Sequence, residues 1–465
     1  MLFTQPAFLV FFGVVFALHW SLRANGARKL LLLVASYVFY GFWDERFLGL
    51  IVLSTLVDHV AALRMERPGA RRGRWLFLSV FVNLTMLGFF KYWGFFVDSA
   101  ASLLAQLGVE ARLPTLEVVL PVGISFFTFQ TMSYSLDVYR RKIAPTRSLL
   151  DVATFVAFFP QLVAGPIVRA AEFLPQLRST RTLRTVDLRG ALVLFLIGFL
   201  KKRAVADNLA QVVDAYFEAP ETFDATSAWL ATLAYAVQIY CDFSGYSDMA
   251  IACAALLGYR LVLNFAYPYL AGNPTEFWRR WHISLSSWLR DYLYVPLGGN
   301  RGGRLFVARN LMLTMLLGGL WHGAAWTFVA WGGLHGLALI VHRAWQRLGE
   351  RNPLRLALRP VAPLLLGWFV CLCWIFFRAD GFPQALQVAR AFVTFQAPGV
   401  ARLDPALFLA LPVLLAAHVV AARGWLHGWW RRLSLVPFAV LYGAAWALVL
   451  PLVPVGFTPF LYFQF

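Results

Sequence analysis

The sequence has few charged residues. Asp, Glu, Lys and Arg make up only 14% of its 465 residues, whereas 60% are apolar. A soluble domain typically carries about 25% charged and 45–50% apolar residues, so this chain lacks the polar residues for a water-facing surface. Its apolar runs are continuous, unlike the alternating strands of a membrane barrel. The composition argues against a soluble globular protein and predicts helices that cross a lipid bilayer.

Cysteine is also scarce, and no Cys-x-x-Cys pair occurs. Cys241, Cys253, Cys371 and Cys373 lie in apolar stretches, where thiols behave as small hydrophobes, so we expect no disulfide and no metal site. The sequence contains no Gly-x-Ser-x-Gly motif, which leaves a serine nucleophile of the α/β-hydrolase type unsupported. The first apolar run, 6–20, has no positive charge before it. We therefore expect an uncleaved first helix with its N-terminus outside.

Apolar runs of membrane-spanning length recur along the chain. A spanning helix needs about 20 mostly apolar residues. The predicted spans are 6–21, 28–43, 47–64, 75–97, 115–138, 190–206, 226–257, 306–320, 325–344, 359–377, 404–421 and 435–456. Two interrupted apolar stretches, 152–168 and 273–300, are expected to be re-entrant segments buried in protein. The long stretch 226–257 contains Asp242 and Gly245, and we expect it to be one broken or tilted span.

The basic residues are placed between the spans. They give a net charge of +18 and cluster after every odd-numbered span, at 23–29, 64–74, 140–147, 279–304, 342–355 and 423–432. Such loops are typical of the cytoplasmic side, so both termini should lie outside. We expect the basic residues to face lipid rather than to bind nucleic acid. Lys201, Lys202 and Arg203 are the exception to this pattern. The fold prediction is an all-α polytopic integral membrane protein with about 11–13 transmembrane helices and re-entrant segments around a central buried histidine, forming one domain over 1–465.

The informative region for chemistry is 238–336. It begins with two carboxylates, Asp242 and Asp248, inside an apolar span. A carboxylate at membrane depth costs at least about 2.5–3.5 kcal/mol, so each must face a partner or a wet cavity. A structural contact between helices and a functional role are both open for them.

An aromatic and basic segment follows at 277–294. Its large apolar residues and one histidine recur at helical spacing and share one face: Trp278, Trp281, His282, Leu285, Trp288, Leu289 and Tyr292. The charged residues Arg279, Arg280, Arg290 and Asp291 fall elsewhere on the helix. The pattern predicts a single amphipathic helix, which either lies on anionic headgroups or turns His282 inward for a chemical role.

A second histidine, His322, lies between Trp321 and Gly323 in a stretch without formal charge. Neutral imidazole is inexpensive to bury, and its ordinary pKa suits proton transfer, although a packing role is open as well. The nearby glycines allow backbones to approach closely. On a straight helix His335, thirteen residues on, falls on a different face, so we expect it to pack between helices.

Several motifs resemble those of the membrane-bound O-acyltransferase family, and in particular its bacterial alginate O-acetylation branch. The residues that carry the resemblance are 121–134, 159–166, 277–301 and 318–328, so it covers most of the chain. The resemblance implies that His322 is the essential catalytic histidine and that His282 is the second. It implies transfer of an acetyl or other acyl group from a cytoplasmic thioester donor, such as acetyl-CoA, with no bound cofactor and no metal. The implied acceptor is a hydroxyl of an extracytoplasmic, alginate-like polysaccharide or of a partner acetyltransferase, at the bacterial inner membrane.

Roles for individual residues follow as hypotheses. His322 acts as general base, and His282 or a nearby donor polarises the thioester carbonyl. The candidate substrate-binding residues are Trp278, Arg279, Arg280, Arg290, Asp291 and Trp321. The three arginines either hold phosphates of the donor or form a basic rim that faces lipid. Two alternatives stay open: a D-alanyl transferase of the teichoic-acid type, and a secondary transporter or flippase that uses the buried carboxylates and histidines as a proton relay.

Overall fold

The regular structure of the chain is helical. The computed structural model describes residues 1–109, 116, 118–349, 352–424, 428–456 and 459–461. Within them no strand forms, and one isolated bridge joins Phe223 to Ala401, so the all-α prediction is confirmed. The backbone divides into two compact units, residues 1–191 with 249–262 and residues 192–248 with 263–465. The single domain over 1–465 stays a prediction.

The first unit contains nine helices in its described part. They are α1 (Pro6–Ser21), α2 (Asn25–Asp44), α3 (Leu48–Glu66), α4 (Arg72–Leu87), α5 (Trp93–Gln106), α6 (Ile124–Tyr139), α7 (Leu149–Ala157), α8 (Phe159–Leu162) and α9 (Ala170–Arg178). A π-helical turn at Gly88–Tyr92 joins α4 to α5. Helix α6 is buried along nearly its whole length, which places the motif 121–134 in the core of this unit.

The second unit holds most of the chemistry-bearing residues. Its helices are α10 (Leu188–Phe199), α11 (Asp207–Glu218), α12 (Ala225–Leu256), α13 (Pro274–Arg280), α14 (Ile283–Leu289), α15 (Arg304–His322), α16 (Trp326–Gln346), α17 (Pro353–Leu358), α18 (Ala362–Arg378), α19 (Phe382–Thr394), α20 (Leu407–Ala422) and α21 (Leu435–Val449). Helix α10 begins, and α12 ends, in the first unit. π-helical turns follow α10 at Leu200–Ala206 and α14 at Arg290–Tyr294.

Every predicted span contains a helix. By length and apolar composition, four helical stretches of the described chain are able to cross a bilayer: Asn25–Glu66, Arg72–Gln106, Arg304–His322 and Leu435–Leu452. Shorter apolar helices occur at Pro6–Ser21, Ala362–Arg378 and Leu407–Ala422. Long apolar runs therefore predicted the positions of the helices well, because in lipid the backbone has to satisfy its own hydrogen bonds.

Two of the predicted spans differ in detail from the structure. The span 115–138 begins partly outside the described residues, at 115 and 117, and its helix starts only at Ile124. Gly123 lies in a turn just before that helix with φ of +77°, and a side chain there would press on the Leu162 carbonyl, so glycine suits this helix start. The stretch 226–257, expected to be broken or tilted, is one unbroken helix, α12.

Gly245 in α12 serves close packing instead of a break. A Cβ atom there would lie 2.6 Å from the carbonyl oxygen of Gly198 on α10, so the two backbones touch at this point. The 32 residues of α12 rise about 48 Å at 1.5 Å per residue, which exceeds the hydrocarbon thickness of about 30 Å. The helix is therefore long enough to cross at a tilt and continue beyond.

The interrupted stretch 152–168 contains the end of one short helix, a second helix of four residues and an irregular segment, all buried. Helix α7 ends at Ala157, α8 covers only four residues, and the side chains from Val152 to Val168 are buried. The side-chain amide of Gln161 donates to the carbonyl of Phe155 at 2.5 Å, which satisfies a backbone group where α7 stops. This agrees with the expectation that a broken backbone at such a place is covered by protein.

The carboxylates within apolar helices are neutralised. Lys201 pairs with Asp248 at 2.7 Å, and Lys202 pairs with Asp242 and, at 2.8 Å, with Asp207. Arg203 completes the group by pairing with Asp207 at 2.5 Å. Lys202, Asp207 and Asp242 are almost completely buried. The three cations that broke the predicted charge pattern therefore balance the buried acids, and a structural contact explains both Asp242 and Asp248.

We predict that Lys202→Met strongly destabilises the protein. Removing one partner of a buried ion pair costs about 3–5 kcal/mol, because Asp242 keeps a buried charge without its cation. The double variant Lys202→Met/Asp242→Asn should recover part of the loss. Thermal unfolding of the purified protein in detergent measures both effects. A proton relay at this site would instead give a stable Lys202→Met protein that has lost function.

Candidate active site

Helices α15 and α16 form a tight hairpin around a reversal at residues 323–325. A Cβ atom on Gly319 would overlap the carbonyl of Phe328, and one on Gly332 would overlap the carbonyl of Met315. The absence of side chains at these glycines therefore brings the two backbones into direct contact. Helix α15 ends at His322. His322 and His335 therefore lie on two different helices, and the prediction of their relative position from one straight helix was wrong.

His322 is buried in a shell of aromatic rings. Its side chain is 3% exposed. The ring centroids of Trp321 and Trp331 both lie 5.0 Å from the imidazole, and that of Phe377 lies 5.3 Å away, all in edge-on geometry. These rings exclude bulk water from the imidazole, which strengthens any electrostatic interaction made there.

The second histidine lies at a break in the aromatic segment. A single helix over 277–294 was predicted, but α13 ends at Arg280 and α14 begins at Ile283. His282 between them has φ of +42°, a left-handed conformation that costs about 1–3 kcal/mol for a residue other than glycine. Of the two orientations left open by the sequence, the inward one agrees with the structure, since Trp281, His282 and Leu285 are at most 1% exposed.

Backbone and side-chain contacts from Asn264 hold this break. The amide N–H of Ile283 donates to the carbonyl of Asn264 at 2.9 Å. The side-chain oxygen of Asn264 accepts from the backbone N–H of Ser284 at 3.2 Å and from its hydroxyl at 2.9 Å. Asn264 thus satisfies an N–H in the first turn of α14, which explains why the helix can restart after His282.

The same asparagine determines the proton position on His282. Its side-chain oxygen lies 3.1 Å from Nδ1 of His282. The atom that faces the Ser284 backbone N–H must be the amide oxygen, since an N–H only donates, so Nδ1 of neutral His282 carries the proton. The asparagine amide in turn donates to the Ser247 hydroxyl at 3.2 Å. Nε2 of His282 is buried and has no hydrogen-bond partner among the residues described, which leaves it as an acceptor.

The two histidines lie side by side. Their ring centroids are 6.4 Å apart, and Trp321 contacts both rings, at 6.0 Å from His282 and 5.0 Å from His322. Phe243 closes the other side of His282 with its ring centroid at 4.6 Å. Two buried imidazoles therefore share one water-poor aromatic pocket, in which proton transfer to and from a hydroxyl is the chemistry that the side chains support best.

Sequence comparisons identify the family. The profile of MBOAT, the membrane-bound O-acyltransferase family, matches residues 75–379. A probable alginate O-acetylase AlgI of Pseudomonas putida is 41% identical over the whole length of both chains. A peptidoglycan O-acetyltransferase of Helicobacter pylori is 39% identical, covering 84% of this chain and 80% of the relative. A teichoic acid D-alanyltransferase of Streptococcus thermophilus is 29% identical, covering 55% of this chain and 65% of the relative.

The chain is a membrane-bound O-acyltransferase. The profile covers both buried histidines and the aromatic pocket, so the site described above lies inside the region that matches the family. The predictions of an all-α integral membrane protein and of an acyltransferase enzyme are confirmed.

The predicted substrate-binding residues of the acyltransferase fall into two groups. Trp321 belongs to the histidine pocket, and Trp278 contacts Trp331 at 5.7 Å. The arginines are engaged elsewhere or exposed: Arg280 pairs with Glu276 at 2.7 Å, and Arg290 pairs with Asp291 at 2.7 Å. Arg279 is exposed on α13. Within the described part of the chain, no hydrogen bond or ion pair joins these arginines to either histidine, so a phosphate-holding role for them stays a prediction.

His335 packs inside the acyltransferase next to this pocket. It is 1% exposed and contacts Trp331 at 4.9 Å, Trp278 at 5.1 Å, and the stacked ring of Phe277 at 5.9 Å. Trp331 thus separates it from His322. The predicted packing role agrees with this position, although the geometric reason given for it was wrong.

Two residues of the site were missed by the sequence analysis. Asn264 lies in a segment without a catalytic motif, and nothing in its spacing indicates that it reaches residues 282–284. Trp331 was one of many tryptophans. Its indole N–H is buried without a hydrogen-bond acceptor in the described part of the chain, and its ring lies 5.0 Å from His322. The structure thus shows a buried, unsatisfied N–H beside a candidate base, which indicates a hydrogen-bond donor to a ligand.

We predict that Asn264→Ala lowers acyl transfer up to about 100-fold. The variant removes the acceptor that orients His282, and small misplacements of a catalytic group cost rates of that order. Asn264→Asp keeps an acceptor oxygen and should retain more activity. Ser247→Ala is the matched control. It removes only the hydrogen bond from the Asn264 side-chain N–H to the Ser247 hydroxyl, so its activity should stay close to wild type. Equal activities for all three variants, at equal protein level in the membrane, would contradict an orienting role.

Proposed function

We propose that this enzyme transfers an acetyl or closely related acyl group from a cytoplasmic thioester donor, such as acetyl-CoA, to a hydroxyl outside the inner membrane. The acceptor is a hydroxyl of an exopolysaccharide of the alginate type, or of a partner acetyltransferase that modifies the polymer. The observation that carries the proposal is the pair of buried imidazoles, His282 and His322, in one aromatic pocket of a chain that matches an alginate O-acetylase over its full length.

Direct transfer fits this pocket without a covalent enzyme intermediate. The acceptor oxygen attacks the thioester carbonyl carbon while His322 takes up its proton, so a C–O bond forms and the carbonyl electrons move onto the oxygen. Collapse of this intermediate breaks the C–S bond. The proton on His322 then passes to the leaving sulfur, which gives a thiol and an ester.

The arrangement around His282 changes the role expected for it. A neutral ring whose Nδ1 donates to Asn264 has only a lone pair at Nε2, so it cannot also donate to a carbonyl oxygen. His282 therefore serves better as an acceptor for a second hydroxyl of the acceptor molecule, while the attacking hydroxyl donates its single proton to the base His322. The carbonyl needs a different donor, because oxyanion stabilisation usually requires N–H or O–H groups aimed at the developing charge.

Trp331 is the candidate for that donor. Its indole N–H is buried with no acceptor among the described residues, and its ring is perpendicular to the imidazole of His322 at 5.0 Å. Burial of an unused N–H is unfavourable, so a ligand that accepts from it would be stabilised there. A thioester carbonyl is such a ligand, and its oxygen becomes a stronger acceptor as the hydroxyl attacks.

The two alternative functions are less well supported. Identity to the D-alanyltransferase is 29% over about half of the chain, against 41% over the whole chain for the alginate O-acetylase. A transporter would use unpaired intramembrane acids as proton carriers, whereas Asp242 and Asp248 are both held in ion pairs with lysines.

We predict that His322→Ala lowers acyl transfer by about 10²–10⁴-fold, the usual contribution of a general base. The protein should still fold and insert, because alanine leaves the glycine contacts of α15 and α16 intact. His322→Gln should not restore activity, since an amide cannot take up a proton near neutral pH. Acetyl ester on the extracellular polymer, normalised to enzyme detected in the membrane, is the measurement.

The control for this variant is His335→Ala, which removes a buried imidazole on the other side of Trp331. It should reduce transfer less than His322→Ala at equal protein level. Near wild-type acetylation by a normally expressed His322→Ala enzyme would rule out direct transfer with this base. D-alanyl ester in place of acetyl ester on a polymer would rule out the proposed donor.

We predict that Trp331→Phe lowers kcat by about 10²–10³-fold with little change in KM, because loss of one oxyanion donor has an effect of this size. Phenylalanine keeps an aromatic ring beside His322 but removes the N–H. Trp374→Phe is the matched control, as Trp374 is equally buried and stacks on Trp331 at 5.9 Å. If both variants lose activity equally and in step with protein level, Trp331 acts only in packing.

A further inference from the structure

A second cavity lies in this unit, away from the two histidines. Its volume is about 920 Å³, and it is lined by α16, α17, the start of α18 and the segment 272–276. Ligand pockets typically have volumes of about 300–1,000 Å³. Neither His282 nor His322 lines the cavity.

Most of the cavity lining is apolar. Its side chains include Leu337, Val341 and Leu365, which are 53%, 58% and 54% exposed. In a chain that lies in a bilayer, exposed side chains of this kind on helices face acyl chains rather than water. The floor is formed by Leu366 and Phe369 of α18. An occupant with an apolar tail can therefore reach this cavity from the lipid.

The far end of the cavity is basic. Arg355 on α17, Arg359 just after it, and His342 near the end of α16 all line it. The side chains of Arg355 and Arg359 make no ion pair and no hydrogen bond with any residue that the structure describes. Nε2 of His342 is buried and is likewise without a hydrogen-bond partner there. Three nitrogen-bearing groups thus line the cavity, and the guanidinium donors of the two arginines are unused in the described part of the chain.

The acidic residue of the lining does not neutralise this end. Glu276 pairs with Arg280 at 2.7 Å and accepts the backbone N–H of Gly272 at 3.0 Å. Its charge is therefore already balanced outside the cavity. Two guanidinium groups remain without an ionic partner among the residues described, and guanidinium binds phosphate in a bidentate, charge-assisted geometry.

We propose that this cavity is a binding site for an anionic phospholipid. Its phosphate is held by Arg355 and Arg359, with His342 beside them, and an acyl chain lies along Leu337, Val341 and Leu365. Basic pockets between helices at the cytoplasmic face bind anionic headgroups, and the basic loop at 342–355 is assigned to that face by the charge pattern. This inference does not depend on the proposed acyl transfer.

A phospholipid suits the cavity better than the phosphate-bearing acyl donor does. The donor has to bring its thioester to the histidines, and neither histidine lines the cavity. The exposed leucines and valine open it towards lipid, which a water-soluble donor does not need. The two sources of phosphate are nevertheless easy to distinguish by competition.

The test uses the full-length purified enzyme in a zwitterionic detergent. Phosphatidylglycerol, phosphatidylcholine and acetyl-CoA are added separately, and binding is followed by native mass spectrometry and by the thermal unfolding temperature. We expect one phosphatidylglycerol to bind and to raise Tm, because a ligand that binds only the folded state stabilises it. Phosphatidylcholine should bind much more weakly, and acetyl-CoA should not displace the lipid.

Matched variants locate the site. Arg355→Ala/Arg359→Ala should weaken phosphatidylglycerol binding by about tenfold or more, given the strength of hydrogen bonds to charged groups. Arg347→Ala removes an exposed arginine at the same end of α16 that does not line the cavity, and it should bind lipid normally. Ala338→Trp fills the cavity without changing its charge and should also prevent binding, which keeps the test decisive if the double variant does not fold.

Three results would overturn the proposal. They are equal binding of phosphatidylcholine and phosphatidylglycerol, unchanged lipid binding in the folded double variant or in Ala338→Trp, and displacement of the lipid by acetyl-CoA. The last result would assign the phosphate-binding end to the acyl donor. Loss of acyl transfer in His322→Ala has no bearing on these measurements, so the two proposals fail separately.

Discussion

Direct contact between the backbones of α15 and α16 determines the geometry at the centre of the second unit. Gly319 and Gly332 lack the side chains that would separate the two helices, so Trp331 of α16 reaches the imidazole of His322 at the end of α15. In lipid, helices gain little from hiding apolar side chains, and close packing becomes the main attraction between them. The same contact therefore holds the hairpin together and places an indole beside the candidate base. A larger residue at either glycine would push the two helices apart and move the indole away from His322.

Buried polar groups in this enzyme are treated in two different ways. Several charged groups are ion-paired or hydrogen-bonded: Lys202 balances Asp242 and Asp207, and Asp58 in the first unit accepts from Asn83 at 3.0 Å and from Ser135 at 2.9 Å. Such pairing is what a low-dielectric interior requires. The lone pair of His282 Nε2 and the N–H of Trp331 are left unused in the described structure. The His282 nitrogen can accept a hydrogen bond from a hydroxyl, and the Trp331 N–H can donate one to a carbonyl oxygen.

The sequence predicted the helices far better than the breaks between them. A spanning helix leaves a long apolar run, and every such run contains a helix. The break at His282 left no such trace, because the pattern of 277–294 is equally regular for one helix or for two, and the left-handed residue is held by Asn264, which lies 18 residues earlier in the chain. Likewise, only three-dimensional contact shows that Lys202 belongs to Asp242, 40 residues on. His282 and His322 were predicted as a pair from a resemblance; their spacing alone does not bring them together.

In a buried pocket, a histidine base has a physical advantage over a carboxylate base. A buried carboxylate has to be compensated before any substrate binds, as Asp242 is by Lys202, and a compensated carboxylate is a weak base. Neutral imidazole needs no counter-ion in the resting state. During acyl transfer the base gains a positive charge as the thioester oxygen gains a negative one, and in a low-dielectric pocket these two charges attract each other strongly. Both disappear when the thiol leaves, so the aromatic walls around His322 favour the transition state without stabilising a charged resting enzyme.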